Sequence, residues 1–150
     1  MMKNIIINKK VSYEYFLYKK YLAGVKLLGN EVKSIRLGQV NLDNSYVYFE
    51  GNELFIFNMR INKYNFSHFF NYEENRKKKL LLHKKEILQI KSQIQIKKMI
   101  VVLLRVFSDR NLLKLEIALA RAKNKYDRRY ELKKKDDELK IKKALKNIQY

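Results

Sequence analysis

Two aromatic-rich runs, Tyr46-Val47-Tyr48-Phe49-Glu50 and Glu53-Leu54-Phe55-Ile56-Phe57-Asn58, stand on either side of Gly51-Asn52, the firmest local signal in the sequence. Gly and Asn accept the positive φ of a two-residue loop, and such a loop matches the right-handed twist of paired strands. The segment predicts an antiparallel hairpin. A second hairpin is predicted from Ile100 to Phe107, a polar loop Ser108-Asp109-Arg110-Asn111, and a strand in which Leu113, Leu115, Ile117 and Leu119 alternate with Lys114 and Glu116. Period two turns the leucine and isoleucine set inward.

The remaining elements follow from turn and cap chemistry. Tyr13 to Leu28 is aromatic-rich and extended in character, which predicts a long strand with Gly24 marking a bulge or a close backbone approach. Asn30 to Leu37 lies between Gly29 and Gly38, which predicts a short helix with Asn30 as N-cap and Gly38 just past its end. Its Val32 and Ile35, with Leu28, face the core, leaving Glu31 and Lys33 directed elsewhere. Lys84 to about Lys97 places Ile87, Leu88, Ile90 and Ile94 near helical spacing with Glu86 in the first turn, so a second helix is expected there, capped by His83. Asn62 to Lys79 is polar and charged and reads as a surface loop. Long antiparallel strands with helices at the ends predict a mainly β fold. The expected form is a small closed antiparallel β-barrel, of which the oligonucleotide-binding type is the commonest that meets nucleic acid.

Charge then narrows the partner. The chain carries 34 Lys and Arg against 15 Asp and Glu, a net charge of +19 on 150 residues. Such an excess repels itself in a compact state and is best neutralised by a polyanion. Coding from an AT-rich genome inflates the lysine count but does not explain where the charge sits. Arg121 to Lys146 holds twelve basic residues against five acidic ones, so the chain divides into a body, residues 1–120, and a basic C-terminal tail, residues 121–150. Asp136 with Lys140 and Glu138 with Lys142 favour a helix by about 0.2 to 0.5 kcal/mol each. That is small beside the cost of nucleation, so the tail is expected to be disordered or frayed alone and helical in an anionic groove. A membrane is the weaker candidate. The longest apolar run, Met99 to Leu104, is far shorter than the roughly 20 residues that span a bilayer, and the stripe Ile141, Leu145 and Ile148 is thin for surface binding. No secretory signal is visible in MMKNIIINKK, and the absence of cysteine suits the cytoplasm.

Catalysis finds little footing. His68 and His83 form no metal-binding pattern, the four glycines make no phosphate loop, and carboxylates such as Glu86 and Asp127 stand beside basic residues. Neither an enzyme, a metal nor a cofactor is expected. Cations interleaved with aromatics suit RNA, because Lys and Arg meet phosphates while Tyr and Phe stack on exposed bases. Three stretches have that texture: Asn8-Lys9-Lys10 with Tyr13 and Tyr15, the loop from Lys63 to Lys79, and Lys123 to Arg129 around Tyr126. Phe55, Phe57 and Phe107 are assigned to the core. These features alone fit a general barrel for single-stranded RNA or tRNA, of RNA-chaperone or initiation-factor type.

Five segments carry a more specific resemblance. Asn8-Lys9-Lys10, Gly29-Asn30-Glu31-Val32-Lys33-Ser34-Ile35-Arg36-Leu37-Gly38, Asn41-Leu42-Asp43-Asn44-Ser45-Tyr46, Lys79-Leu80-Leu81-Leu82-His83-Lys84 and Tyr126-Asp127-Arg128-Arg129 resemble the SmpB family in order and spacing. Its members are protein partners of transfer-messenger RNA. The resemblance implies a non-enzymatic monomer that binds the tRNA-like domain of that RNA and accompanies it to stalled ribosomes for trans-translation. The tail would then order in the small-subunit decoding centre and the vacant messenger channel. Carried over, the RNA contacts fall on Asn8, Lys9, Lys10, Gly24, Glu31, Lys33, Lys79, Leu82, His83 and Lys84, and the tail's ribosome contacts on Lys123, Lys125, Tyr126, Asp127, Arg128 and Arg129. The chain departs from the family pattern at Leu22, Ala122 and Asn124. Ala122 replaces a glycine, which is expected to stiffen the joint with the tail.

Overall fold

The computed structural model describes residues 2–65 and 73–148; the side chains of residues 125–128, 131, 147 and 148 lie outside the description. In chain order the elements are β1 (Met2–Ile7), α1 (Val11–Glu14), β2 (Tyr15–Val25), α2 (Gly29–Arg36), β3 (Val40–Asn41), β4 (Tyr46–Glu50), β5 (Glu53–Phe57), β6 (Arg60–Ile61), β7 (Lys78–Leu81), α3 (Lys84–Lys97), β8 (Ile100–Asp109), β9 (Leu112–Ala122) and α4 (Lys125–Ile148).

The first hairpin forms where expected: β4 and β5 pair from Tyr46 with Phe57 to Glu50 with Glu53, and of the two loop residues Gly51 alone takes a positive φ, +66°. The second is tighter than the expected four-residue loop. The ladder continues through Ser108 with Leu113 and Asp109 with Leu112, leaving only Arg110 and Asn111 to turn, at φ +50° and +67°. Two left-handed residues make the turn whose twist fits a hairpin, so the strands extend to meet it. The Asn111 carbonyl accepts a 2.6 Å hydrogen bond from the Arg36 guanidinium.

The predicted Tyr13–Leu28 strand is shorter at both ends. Tyr13 belongs to the single-turn helix α1, where its N–H and that of Glu14 both reach the Lys10 carbonyl at 3.1 Å. Leu28 occupies the N-cap position of α2 in place of Asn30, because the Glu31 carboxylate reaches back to the Leu28 N–H at 2.8 Å. Gly38 does follow the helix in the left-handed conformation, at φ +76°. Gly24 marks a close approach rather than a bulge. It pairs with Leu81, and a Cβ added there would sit 3.2 Å from the Leu81 Cβ, whereas the irregularity in β2 falls between Leu17 and Lys19.

Antiparallel ladders link β8, β4, β5, β7, β2 and β9, and β9 pairs back onto β8, so these strands form a ring. β1 adds to the far half of β8, from Met2 opposite Asp109 to Ile7 opposite Arg105, while β3 and β6 make a separate two-stranded pair. Inside, Tyr21, Leu54, Ile56, Leu80, Leu103, Leu115, Ile117 and Leu119 form one apolar cluster with Ile35 of α2 and Ile90 of α3. Phe107 is fully buried as expected, whereas Phe55 and Phe57 are only partly so. A second cluster joins Val102, Leu104, Ala118 and Ala120 to Val11 of α1. Burial on both faces is why β8 reads as a continuous apolar run instead of alternating.

Helix α3 spans the predicted residues. His83 stands at its N-cap but its side chain makes no capping bond; the His83 carbonyl accepts the Ile87 N–H at 3.1 Å. The expected loop from Asn62 to Lys79 ends early, because Lys78 opens β7 and is fully buried. Residues 66–72 of that loop, His68 among them, lie outside the described residues. The tail is helical: α4 meets α1, with the Lys135 ammonium 4.5 Å from the Tyr13 ring. Ala122 pairs with Tyr15 in extended backbone and is absent from the left-handed residues, so its methyl is no strain at the joint. Among the described residues, no helix is long and apolar enough to cross a membrane.

Candidate RNA-binding surface

The residues singled out by sequence fall into two groups. The first surrounds the β2–β7 ladder and α2. Gly24 pairs with Leu81 there, and the Lys79 carbonyl accepts the Lys26 N–H at 2.9 Å. The Lys79 ammonium bonds the Glu53 carboxylate at 3.0 Å, Leu82 packs against the core, and His83 and Lys84 are exposed. Lys33 extends from α2 with its ammonium 5.4 Å from the Tyr64 ring.

Glu31, expected to point away from the core, is 0% exposed. Its Oε1 accepts the Leu28 N–H at 2.8 Å and the Arg76 Nη2 at 2.6 Å, and its Oε2 lies 3.8 Å from Lys78 Nζ. Lys78, also 0% exposed, donates to the Met59 carbonyl at 3.1 Å and to the Arg76 carbonyl at 2.6 Å. Burial lowers the Lys78 pKa to about 8, with Glu31 opposing the shift and Arg76 reinforcing it. A buried carboxylate is tolerated only with its partners in place, so Arg76 and Lys78 account for the inward turn of Glu31. The cluster ties α2 to β7, and through that tie it sets where Lys33 and Lys79 stand. The sequence places Arg76 and Lys78 in the cationic Lys63 to Lys79 stretch suited to RNA, and nothing in that run of cations marks either as an inward partner of Glu31.

The second group gathers at α1. The Asn8 N–H donates to the Leu104 carbonyl at 2.8 Å and its side-chain amide donates to the Leu103 carbonyl at 3.2 Å, which fixes the end of β1 on β8. Lys9 and Lys10 follow, both exposed. The root of the tail joins them: the Lys123 N–H donates to the Glu14 carbonyl at 2.9 Å, and its ammonium donates to the Ser12 carbonyl at 3.2 Å while lying 4.9 Å from the Phe16 ring. Lys123 is therefore a largely buried anchor. Arg129 is exposed on α4, whereas the side chains of Lys125, Tyr126, Asp127 and Arg128 lie outside the described residues. The structure thus separates Asn8, Lys9 and Lys10 from the group around α2 and joins them to the tail. Among the described residues, no cluster of three or more His, Asp or Glu side chains could hold a metal ion.

Residues 5–147 match the family described as SmpB protein. This chain belongs to that family. The SmpB match runs from within β1 almost to the end of α4, so both groups of cations lie inside it. Among curated relatives, the SsrA-binding protein of Carboxydothermus hydrogenoformans is 42% identical over 146 residues, covering 97% of this chain and 98% of the relative. The SsrA-binding protein of Fusobacterium nucleatum is 41% identical over 140 residues, covering 93% and 95%. A chain from a solved structure described as "tmRNA-SmpB: a journey to the center of the bacterial ribosome" is 34% identical and superposes with a TM-score of 0.65 over 80% of this chain and 85% of that one.

Proposed function

We propose that this chain binds the tRNA-like domain of transfer-messenger RNA and delivers it to stalled ribosomes for trans-translation, as an adaptor without bond-making chemistry. The observation that carries the reading is the match along nearly the whole chain to proteins named for binding SsrA. The charge distribution supports it: exposed cations on a strand-rich body and on a long basic helix suit an RNA held by shape and phosphate contact.

In this reading the ring of strands is a barrel of the oligonucleotide-binding type, residues 1–120 act as the body and residues 121–150 as the tail. Gly24, Lys33, Lys79, Leu82, His83 and Lys84 form one RNA face, with Glu31 setting its geometry from beneath. Asn8, Lys9 and Lys10 act beside the tail. Lys123 roots α4, and Lys125, Tyr126, Asp127, Arg128 and Arg129 lead into the decoding centre, with the rest of the helix in the vacant messenger channel. The protein works as a monomer, in the cytoplasm where ribosomes are. Competition tests the reading. At about 150 mM salt, where nonspecific phosphate contacts weaken, the tRNA-like domain should displace unstructured RNA of equal length. Equal competition by the two would instead identify a general barrel for single-stranded RNA or tRNA.

A further inference from the structure

Helix α3 begins at Lys84 in the first group of cations, and at its far end the Lys97 carbonyl accepts a 3.2 Å hydrogen bond from Arg121, two residues before the tail anchor Lys123. Between these ends a cleft of about 350 Å³ opens between α3 and β2, with Tyr18, Lys19, Gln89, Gln93 and Lys97 along its walls. Met99 and Leu119 line it as well. None of these residues lies in the segments that carry the family resemblance.

The polar groups of the cleft are arranged for a ligand with a negative charge and a flat ring. Among the described residues, no carboxylate lines it. The Gln89 Oε1 accepts from Lys19 Nζ at 3.1 Å and from the Tyr21 hydroxyl at 3.4 Å, which orients that amide and leaves its NH2 to donate. No described residue engages the Gln93 amide or the Lys97 ammonium, although Gln93 is half-buried. Tyr18 is 55% exposed, and the Arg121 guanidinium lies 5.9 Å from its ring centroid. The volume is of the order that holds a small ligand, about 300 Å³ and upward.

The geometry points to a binding site for one unpaired RNA nucleotide in the β2–α3 cleft, with its phosphate between Lys19 and Lys97, its base on Tyr18, and its base edge at Gln89 and Gln93. Ammonium groups supply the phosphate contact, a tyrosine face accepts any base, and primary amides both donate and accept at a base edge. The inference rests on the RNA-binding reading above and adds a contact that bridges the two groups of cations along α3.

The test is filter binding of the full chain to the tRNA-like domain over a salt series, with Lys97→Ala, Gln93→Ala and Tyr18→Ala compared against Lys3→Ala on β1. Lys97→Ala should flatten the slope of log affinity against log salt by about 0.7, as for one phosphate of a single strand. Tyr18→Ala should weaken binding by about fivefold to a hundredfold at unchanged slope, as for one stacked base. Gln93→Ala should weaken it by about fivefold, and Lys3→Ala should match the wild type. Tyr18→Leu keeps an apolar side chain without the ring and should lose affinity as Tyr18→Ala does, with the thermal midpoint reporting folding. Wild-type slope in Lys97→Ala, with Tyr18→Leu and Gln93→Ala binding within twofold of wild type, would overturn the proposal while leaving the wild type's preference for the tRNA-like domain intact. If the wild type shows no such preference, the adaptor reading fails instead, and the same variants assayed on a scrambled strand decide for or against the cleft.

Discussion

Glu31→Gln isolates what the buried charge cluster does. The substitution keeps shape and keeps an oxygen that can accept from Leu28 N–H and Arg76, but it removes the negative charge between Arg76 at 2.6 Å and Lys78 at 3.8 Å. The fully buried Lys78 then faces the half-buried Arg76 without a counter-charge, and loss of one member of a buried pair such as Glu31 with Lys78 costs about 3 to 5 kcal/mol. Urea unfolding at pH 7 should show a loss of that order as a lower midpoint at unchanged m. At pH 10 Lys78, whose pKa burial lowers to about 8, is largely neutral, so the loss should shrink. The fraction that remains folded at pH 7 should keep its RNA affinity within a few-fold, because Glu31 is fully buried and reaches RNA only through the position of α2. A folded variant, destabilised by less than about 1 kcal/mol yet more than tenfold weaker for RNA, would refute this reasoning and make Glu31 a direct contact.

Four further outcomes are expected. The folded-state pKa of Lys78, about 8, lies below the ordinary lysine value of 10.5, so the unfolded chain binds more protons between the two and stability rises with pH across that window. Lys78→Met should lack this rise, making its stability relative to wild type fall by roughly 3 kcal/mol from pH 8 to pH 10.5 in parallel urea titrations. Ile90→Ala, at a fully buried position in the shared core, should lower stability by about 2 to 5 kcal/mol in the same assay. Asn111→Val places a β-branched residue at φ +67°, and thermal melting should report a loss of about 1 to 2 kcal/mol. Removing residues 125–150, which leaves Lys123 on its Glu14 and Ser12 carbonyls, should keep affinity for the tRNA-like domain nearly intact and abolish peptide tagging on stalled ribosomes in a reconstituted translation assay.

The features legible in sequence were those fixed by local chemistry. Gly51 announced its hairpin because few residues accept the positive φ it takes there, and Gly38 ended α2 for the same reason. Helix α3 was legible from its isoleucine spacing, with Ile90 fully buried and Ile87 and Ile94 beside it. What escaped depends on contacts distant in sequence. β1 is short of buried side chains and forms by docking on β8, which no local pattern in Lys3-Asn4-Ile5 reveals. β7 begins with a lysine that belongs to the interior only because the Met59 and Arg76 carbonyls and Glu31 are waiting for it. Ala118 and Ala120 fall on the face opposite the leucine set, and their burial requires α1 to lie over them. The RNA-facing candidates were legible as residue types, but their division into a group around α2 and a group around the tail root was set by the strand order.

The most direct test of the adaptor account is to sequence the RNA that co-purifies with the full chain from its own cells under native salt. The account predicts that transfer-messenger RNA is enriched far above its cellular share, together with ribosomal RNA from engaged complexes. Recovery of bulk tRNA and messenger fragments in proportion to their abundance would contradict it.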